Sequence, residues 1–203
     1  MNGEIANMRN SLNQKKGKRA FLIEQKEEAI TDKQRFEELH THCLQARSIV
    51  QTVAENTQKH IEYHISNLVS MALASVFPDP YKFDLRFVQR RNKTEADLIF
   101  SKNGNETDDI LNTGGGGVAD VASFALRIAQ WSIKKTRPVL LLDETFKFLH
   151  NPVYQEKASE MLKEISDKLG IQIILVSDQD SLINAADKTI KLKNNKGISE
   201  VVI

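Results

Sequence analysis

Four consecutive glycines, Gly114 to Gly117, stand directly before a breaker-free run in which Val121, Phe124, Ala125, Ile128, Ala129 and Trp131 recur at spacings of three and four. That spacing gives a helix one apolar face, so the glycines form a turn into a helix N-terminus. Lys134, Lys135 and Arg137 close the helix before Pro138, cations where the helix dipole favours them. Val139 to Leu142 follows, short and apolar enough for a strand buried on both faces, and it ends in Asp143 and Glu144. A glycine-rich turn into a helix offers backbone N–H groups to an anion, and paired acids at a strand's end suit a metal ion and a water. Together they imply a nucleoside triphosphate site.

The rest of the chain bounds that reading. A length of 203 residues accommodates one ordinary domain plus an appendage. Acids and bases nearly cancel, at +1, so any nucleic-acid contact has to come from a local patch. One cysteine, Cys43, excludes an internal disulfide and a Cys-rich zinc site. No apolar run approaches the roughly 20 residues that span a bilayer, and the first residues lack a signal-peptide core. A soluble, cytoplasmic protein without membrane contact is expected.

From Met1 to about Ala74 there is no proline, and glycine occurs only at Gly3 and Gly17. Leu22, Ala29, Phe36, Cys43 and Val50 share one heptad position and Leu39, Ala46 and Val53 the other, a narrow coiled-coil seam. A helix of this length spans roughly 100 Å and needs a second helix to cover its stripe. The stripe widens at Ile61, Ile65, Leu68, Val69, Ala72 and Val76, as where a rod enters a globular body, and Pro78 and Pro80 end it. His60 and His64 stand four apart without a third ligand, so seam or surface histidines are the better reading than a metal site. Phe83, Leu85 and Phe87 alternate as a half-buried strand, and Ala96 to Phe100 forms a second before a turn at Asn103-Gly104. Gln89 to Lys93 forms a basic tip between them, a solvated turn or a phosphate contact. An amphipathic helix from Pro152 to Gly170, a buried strand at Ile171 to Val176, a short helix at Ser181 to Ala186 and a terminal hairpin around Asn195-Lys196-Gly197 complete the chain.

This order of glycine-rich turn, helix, apolar strand with Asp-Glu, helix and second apolar strand resembles the C-terminal half of the ATPase head in ABC-type proteins. With the long charged helix before it, it looks most like the SMC family and its DNA double-strand-break repair relatives. The likeness covers essentially the whole chain. It implies an α/β fold in which a coiled-coil-type helix, residues 1–76, precedes a C-terminal half-head, residues 77–203, with a mainly parallel sheet and flanking β-hairpins. Leu140 to Glu144 look like a Walker B strand, and Thr113 to Gly117 like the signature loop. In that family two heads clamp two ATP molecules, each between the phosphate loop of one head and the signature loop of the other. The resemblance therefore implies that Asp143 holds Mg²⁺ through water and Glu144 polarises the attacking water. It also implies that Thr113, Gly114, Gly115, Gly116 and Gly117 face the γ-phosphate of the opposite head.

Two registers of that loop stay open, one placing Thr113 and the other Gly115 at the family's serine. His150 stands where the family usually has Asp. Asp178, the second candidate catalytic residue, stands where many members carry a histidine near the γ-phosphate, and brings negative charge unless it points away or meets a cation. Gly-x-x-x-x-Gly-Lys-Ser/Thr occurs nowhere; Lys16-Gly17-Lys18 lacks the first glycine and the preceding strand. ATP and Mg²⁺ are therefore expected only with a phosphate loop from an N-terminal half or a second ATPase chain, in an oligomer. The chain reads as a natural half-protein, a fragment, or a pseudo-ATPase kept for assembly. Its expected role is ATP-dependent head engagement in DNA recombination, repair or segregation. The alternative is a non-catalytic adaptor that self-associates through its long helix. DNA contact through Arg90, Arg91, Lys93 and the Lys134 to Arg137 cluster can accompany either.

Overall fold

A computed structural model describes residues 2–91, 93–195 and 198–202. The first element is one uninterrupted helix, α1 (Asn2–Val76). Thr31, Thr41, Thr52 and Thr57 fit within it by donating their hydroxyls to carbonyls four residues earlier, at 2.8 to 3.0 Å. It stops where the prolines say it should: Phe77 N–H still donates to Leu73 O at 2.9 Å, and Pro78 has no N–H to continue the ladder. No helix of the described residues is long and apolar enough to cross a membrane.

The chain forms two compact units, Met1–Thr57 and Gln58–Ile203. In the first, the heptad stripe is exposed, Phe36 at 66%. In the second, α1 buries Val69, Leu73 and Val76 completely in the core. Against it lies an antiparallel sheet of β1 (Lys82–Arg90), β2 (Lys93–Lys102) and β3 (Asn105–Thr107), in that order. Phe83 and Phe100 are register partners and pack edge to face, with ring centroids 5.1 Å apart. The free edge of β1 is satisfied by α1: Ser70, Ser66 and Glu62, one helical turn apart, accept the N–H groups of Phe83, Leu85 and Phe87 at 2.9, 2.9 and 2.6 Å. β2 runs further in both directions than the Ala96 to Phe100 of the sequence reading, and β3 is an addition to it. Positive φ at both Asn103 (53°) and Gly104 (82°) gives the tight turn between them.

Next come the short α2 (Ile110–Thr113) and α3 (Gly116–Ile133), which buries Val121, Phe124, Ala125 and Ile128. Lys134 caps α3 through its own N–H to Gln130 O at 3.0 Å, so the cations lie just past the helix rather than in its last turn. β4 (Val139–Asp143) and β5 (Gln172–Val176) pair in parallel through α4 (Pro152–Leu169). That helix starts on Asn151, whose side chain accepts Val153 N–H at 3.0 Å, and ends at Gly170 in the left-handed region, φ 64°. A 3₁₀ turn (Asp180–Ile183) stands where a longer helix was expected, and β6 (Lys191–Asn195) and β7 (Ile198–Val202) form the terminal hairpin. Lys196 and Gly197 of its expected turn lie outside the described residues.

The parallel pair corrects the expectation of strands buried on both faces. Leu140, Leu142, Ile173 and Leu175 face the core, whereas Val139, Leu141, Ile174 and Val176 are exposed, Leu141 at 70%. A uniformly apolar run carries no period, so it cannot reveal which face the described residues cover.

These burials give a contrast measurable by urea denaturation of dilute protein. Leu73→Ala is expected to cost about 2–5 kcal/mol, and Leu39→Ala on the arm less than about 0.5 kcal/mol. Equal losses would mean that the heptad stripe is covered within this chain.

Candidate functional site

Parallel pairing places Asp143 opposite Val176, so the C-terminal ends of β4 and β5 bring Asp143-Glu144 and Ser177-Asp178 to one edge. Open α/β sheets bind ligands at this edge. Glu144 N–H extends the pairing by donating to Val176 O at 3.0 Å. Glu144 and Phe146 are both left-handed, φ 47° and 69°, a conformation costing on the order of 1–2 kcal/mol for a residue with a Cβ. What holds this turn is Phe146, fully buried, its ring centroid 5.5 Å from that of Phe124 on α3. Asp143 and Glu144 themselves are exposed.

Lys147, which the sequence reading passed over, lies against Glu144, Nζ to Oε2 2.5 Å. This hydrogen bond holds the Lys147 ammonium above its usual range, and the charges of Glu144 and Asp178 add to the effect. Gln179 stitches the two strand ends together by donating from Nε2 to Lys147 O at 3.3 Å. Among the described residues, no three His, Cys, Asp or Glu side chains gather as a metal-ligand set. Mg²⁺ commonly takes one or two carboxylates and completes its shell with phosphate oxygens and water, so Asp143 suits it in the presence of a phosphate.

The glycine loop divides its labour. Gly114 and Gly115 donate their N–H groups to Ile110 O at 2.8 and 3.0 Å, which turns α2 into α3. Thr113 ends α2, its hydroxyl donating to Asp109 O at 2.8 Å. Gly115 holds the N-cap of α3 at φ 85°, and Gly116, Gly117 and Val118 are the first-turn donors that the helical ladder itself leaves over. Gly116 has to be glycine: a Cβ there would lie 2.6 Å from Phe148 Cβ and 2.7 Å from its Cγ.

That contact joins the start of α3 to the loop after β4. Asp120 completes the joint by accepting Phe148 N–H on Oδ2 at 2.9 Å, and Gln155 donates to Leu149 O at 2.7 Å from below. Burial raises the Asp120 carboxyl above the ordinary aspartate range, against the lowering effects of the Phe148 hydrogen bond and of His150. His150 itself is exposed on this loop.

Outside this edge the candidates disperse. Arg90 lies within β1, not in the tip, and pairs with both Asp97 oxygens at 2.7 Å, with Glu95 at 3.5 Å. Arg91 alone of the described residues stands between β1 and β2; Asn92 lies outside them. Lys135 sits over the Trp131 ring, 5.9 Å from its centroid. His64 Nε2 is 2.9 Å from Ser132 Oγ, a partner that joins α1 to α3.

No family model matches the chain. Over 149 residues it is 26% identical to a DNA double-strand break repair Rad50 ATPase from Archaeoglobus fulgidus, a match covering 73% of this chain. It spans only 16% of that protein's length. Among solved structures, it is similar to a chain from work on ATP-driven dimerization and DNA-stimulated activation of SMC ATPases, at 20% identity and TM-score 0.55, covering 73% of this chain and 87% of that one. It is also similar to an Smc head domain with an extended coiled coil bound to the C-terminal domain of ScpA, from Pyrococcus furiosus, at 20% identity and TM-score 0.57, covering 77% and 40%. An Smc head with coiled coil and joint from Pyrococcus yayanosii gives 19% and 0.56, covering 77% and 31%. At these identities the solved structures establish the fold.

Two outcomes follow from the joint between α3 and the loop. Gly116→Ala should lose about 1–3 kcal/mol in denaturant titrations, and Phe148→Ala in the same chain should recover part of it; strictly additive losses would refute the contact. Asp120 binds its proton more tightly in the folded chain, so its contribution is complete below the ordinary aspartate range and is lost as pH rises through the folded value. Asp120→Asn should flatten that decline in a pH series of unfolding midpoints, and an unchanged slope would exclude it.

Proposed function

We propose that this chain, an SMC/Rad50-like ABC ATPase relative, acts as the C-terminal half of an ATPase head whose phosphate loop comes from another segment or chain. One observation carries the reading. The exposed apolar face of β4 and β5 runs up to the edge that presents Asp143 and Glu144. An apolar sheet face of this kind is normally covered, and the 203 residues contain no Gly-x-x-x-x-Gly-Lys-Ser/Thr. A lobe bearing the phosphate loop would cover Leu141 and Val176 and bring its nucleotide to the carboxylates.

In this proposal Asp143 would hold Mg²⁺, which would supply charge neutralisation at the phosphates. Glu144 orients the attacking water and takes its proton. The N–H groups of Gly116, Gly117 and Val118 meet the γ-phosphate of the opposing head, with Gly115 at the family's serine position. Thr113 then contributes by shaping the turn. Residues 1–76 serve as the arm and 77–203 as the half-head, in the cytoplasm. Head engagement in DNA repair, recombination or segregation is the role best in keeping with the Rad50 and SMC likenesses. The adaptor reading draws on a different observation, the exposed stripe of Phe36, Leu39, Val50 and Val53, and requires homo-oligomers indifferent to Mg²⁺ and ATP.

In the assembled complex, Glu144→Gln is expected to slow ATP hydrolysis by about 10²–10⁴ and to keep ATP bound. Gly116→Asp, which adds both a clash with Phe148 and a charge against phosphate, should block ATP-dependent head association. Turnover at the normal rate in both variants would defeat the proposal.

A further inference from the structure

We infer that Lys147 is a γ-phosphate ligand held in reserve on Glu144: its ammonium neutralises that carboxylate in the empty head and transfers to the terminal phosphate when nucleotide enters. This rests on the half-head reading above and assigns a residue which that reading does not use.

Charge balance is the first argument. Asp143, Glu144 and Asp178 all emerge at one edge of the β4–β5 pair. A triphosphate brought there meets three carboxylates, and a divalent ion on Asp143 offsets only part of the repulsion. Lys147 is the cation that the fold places among them, in contact with Glu144 and within the field of Asp178. Geometry is the second. The Lys147 backbone is fixed on both sides: its N–H donates to Glu144 O at 3.2 Å, and its carbonyl accepts from Gln179 Nε2 at 3.3 Å. Its side chain is 60% exposed, free to swing about that anchor on its flexible stem. The third argument concerns Glu144, whose Oε2 is occupied by the Lys147 ammonium at 2.5 Å and is therefore not open to a water. An exposed pair of this kind is weakly held, so a phosphate dianion can displace it.

When the pair parts, Glu144 is released to the water at the moment Lys147 neutralises the group under attack. The water oxygen bonds to Pγ, and the bond from Pγ to the β,γ-bridging oxygen breaks with its electrons leaving on ADP. Glu144 accepts the proton that the water loses. Lys147 faces the charge that spreads over the equatorial phosphoryl oxygens.

The test uses the complex recovered from the chain's own source through a tag on this chain. kcat and KM for Mg·ATP are measured, together with binding of a fluorescent ATP analogue in a Glu144→Gln background. Lys147→Met is expected to lower kcat by about 10²-fold or more and to weaken analogue binding, while Lys147→Arg, which keeps the charge, retains most of both. Wild-type kcat or faster turnover in Lys147→Met would overturn the assignment alone. A wild-type complex without a phosphate-loop chain or without hydrolysis would overturn the half-head reading, and this assignment with it.

Discussion

The packing of Gly116 against Phe148 is the contact on which the candidate site depends. It requires a residue without a Cβ at the start of α3 and a loop that returns after β4 within van der Waals reach of that start. Asp120 fastens the approach from the helix side and Gln155 from below. The loop in turn begins with the two left-handed residues, Glu144 and Phe146, and the burial of Phe146 beside Phe124 helps offset their conformational cost. The start of α3 and the carboxylate pair are thereby parts of one packed object.

Around this object the chain distributes its apolar surface unevenly. The core gathers the end of α1, the β1–β2 sheet, α3, α4 and one face of β4–β5. The other face of β4–β5 and the heptad stripe of α1 remain exposed. Each is the kind of surface that soluble chains cover with a partner or with more of themselves.

Much of the fold is legible in the sequence because its boundaries coincide with residues of special backbone chemistry. Pro78 ends α1, Asn151 and Pro152 start α4, Gly170 stops it, and Asn103-Gly104 turns β2 into β3. Periodicity fails where it carries no information, in the uniformly apolar β4 and β5, whose exposed face no pattern reveals. Long-range side-chain pairs are also hidden. Asp120 and Phe148 lie 28 residues apart, and Lys147 meets Glu144 across a left-handed turn that its residue types do not announce. Arg90 was concealed differently: its partners Glu95 and Asp97 stand on the adjacent strand, so one cation of a cluster that reads as free positive charge is neutralised. The glycines were found, but not their division into turn-makers and first-turn donors of α3. That depends on Ile110 O accepting from both Gly114 and Gly115.

The measurement that bears most directly on the account is native mass spectrometry of the protein from its own source, with Mg²⁺ and ATP present. The account predicts a complex that contains a phosphate loop contributed from outside these 203 residues and carries nucleotide. A nucleotide-free homo-oligomer would contradict it, and would leave Asp143 and Glu144 as structural features of an adaptor.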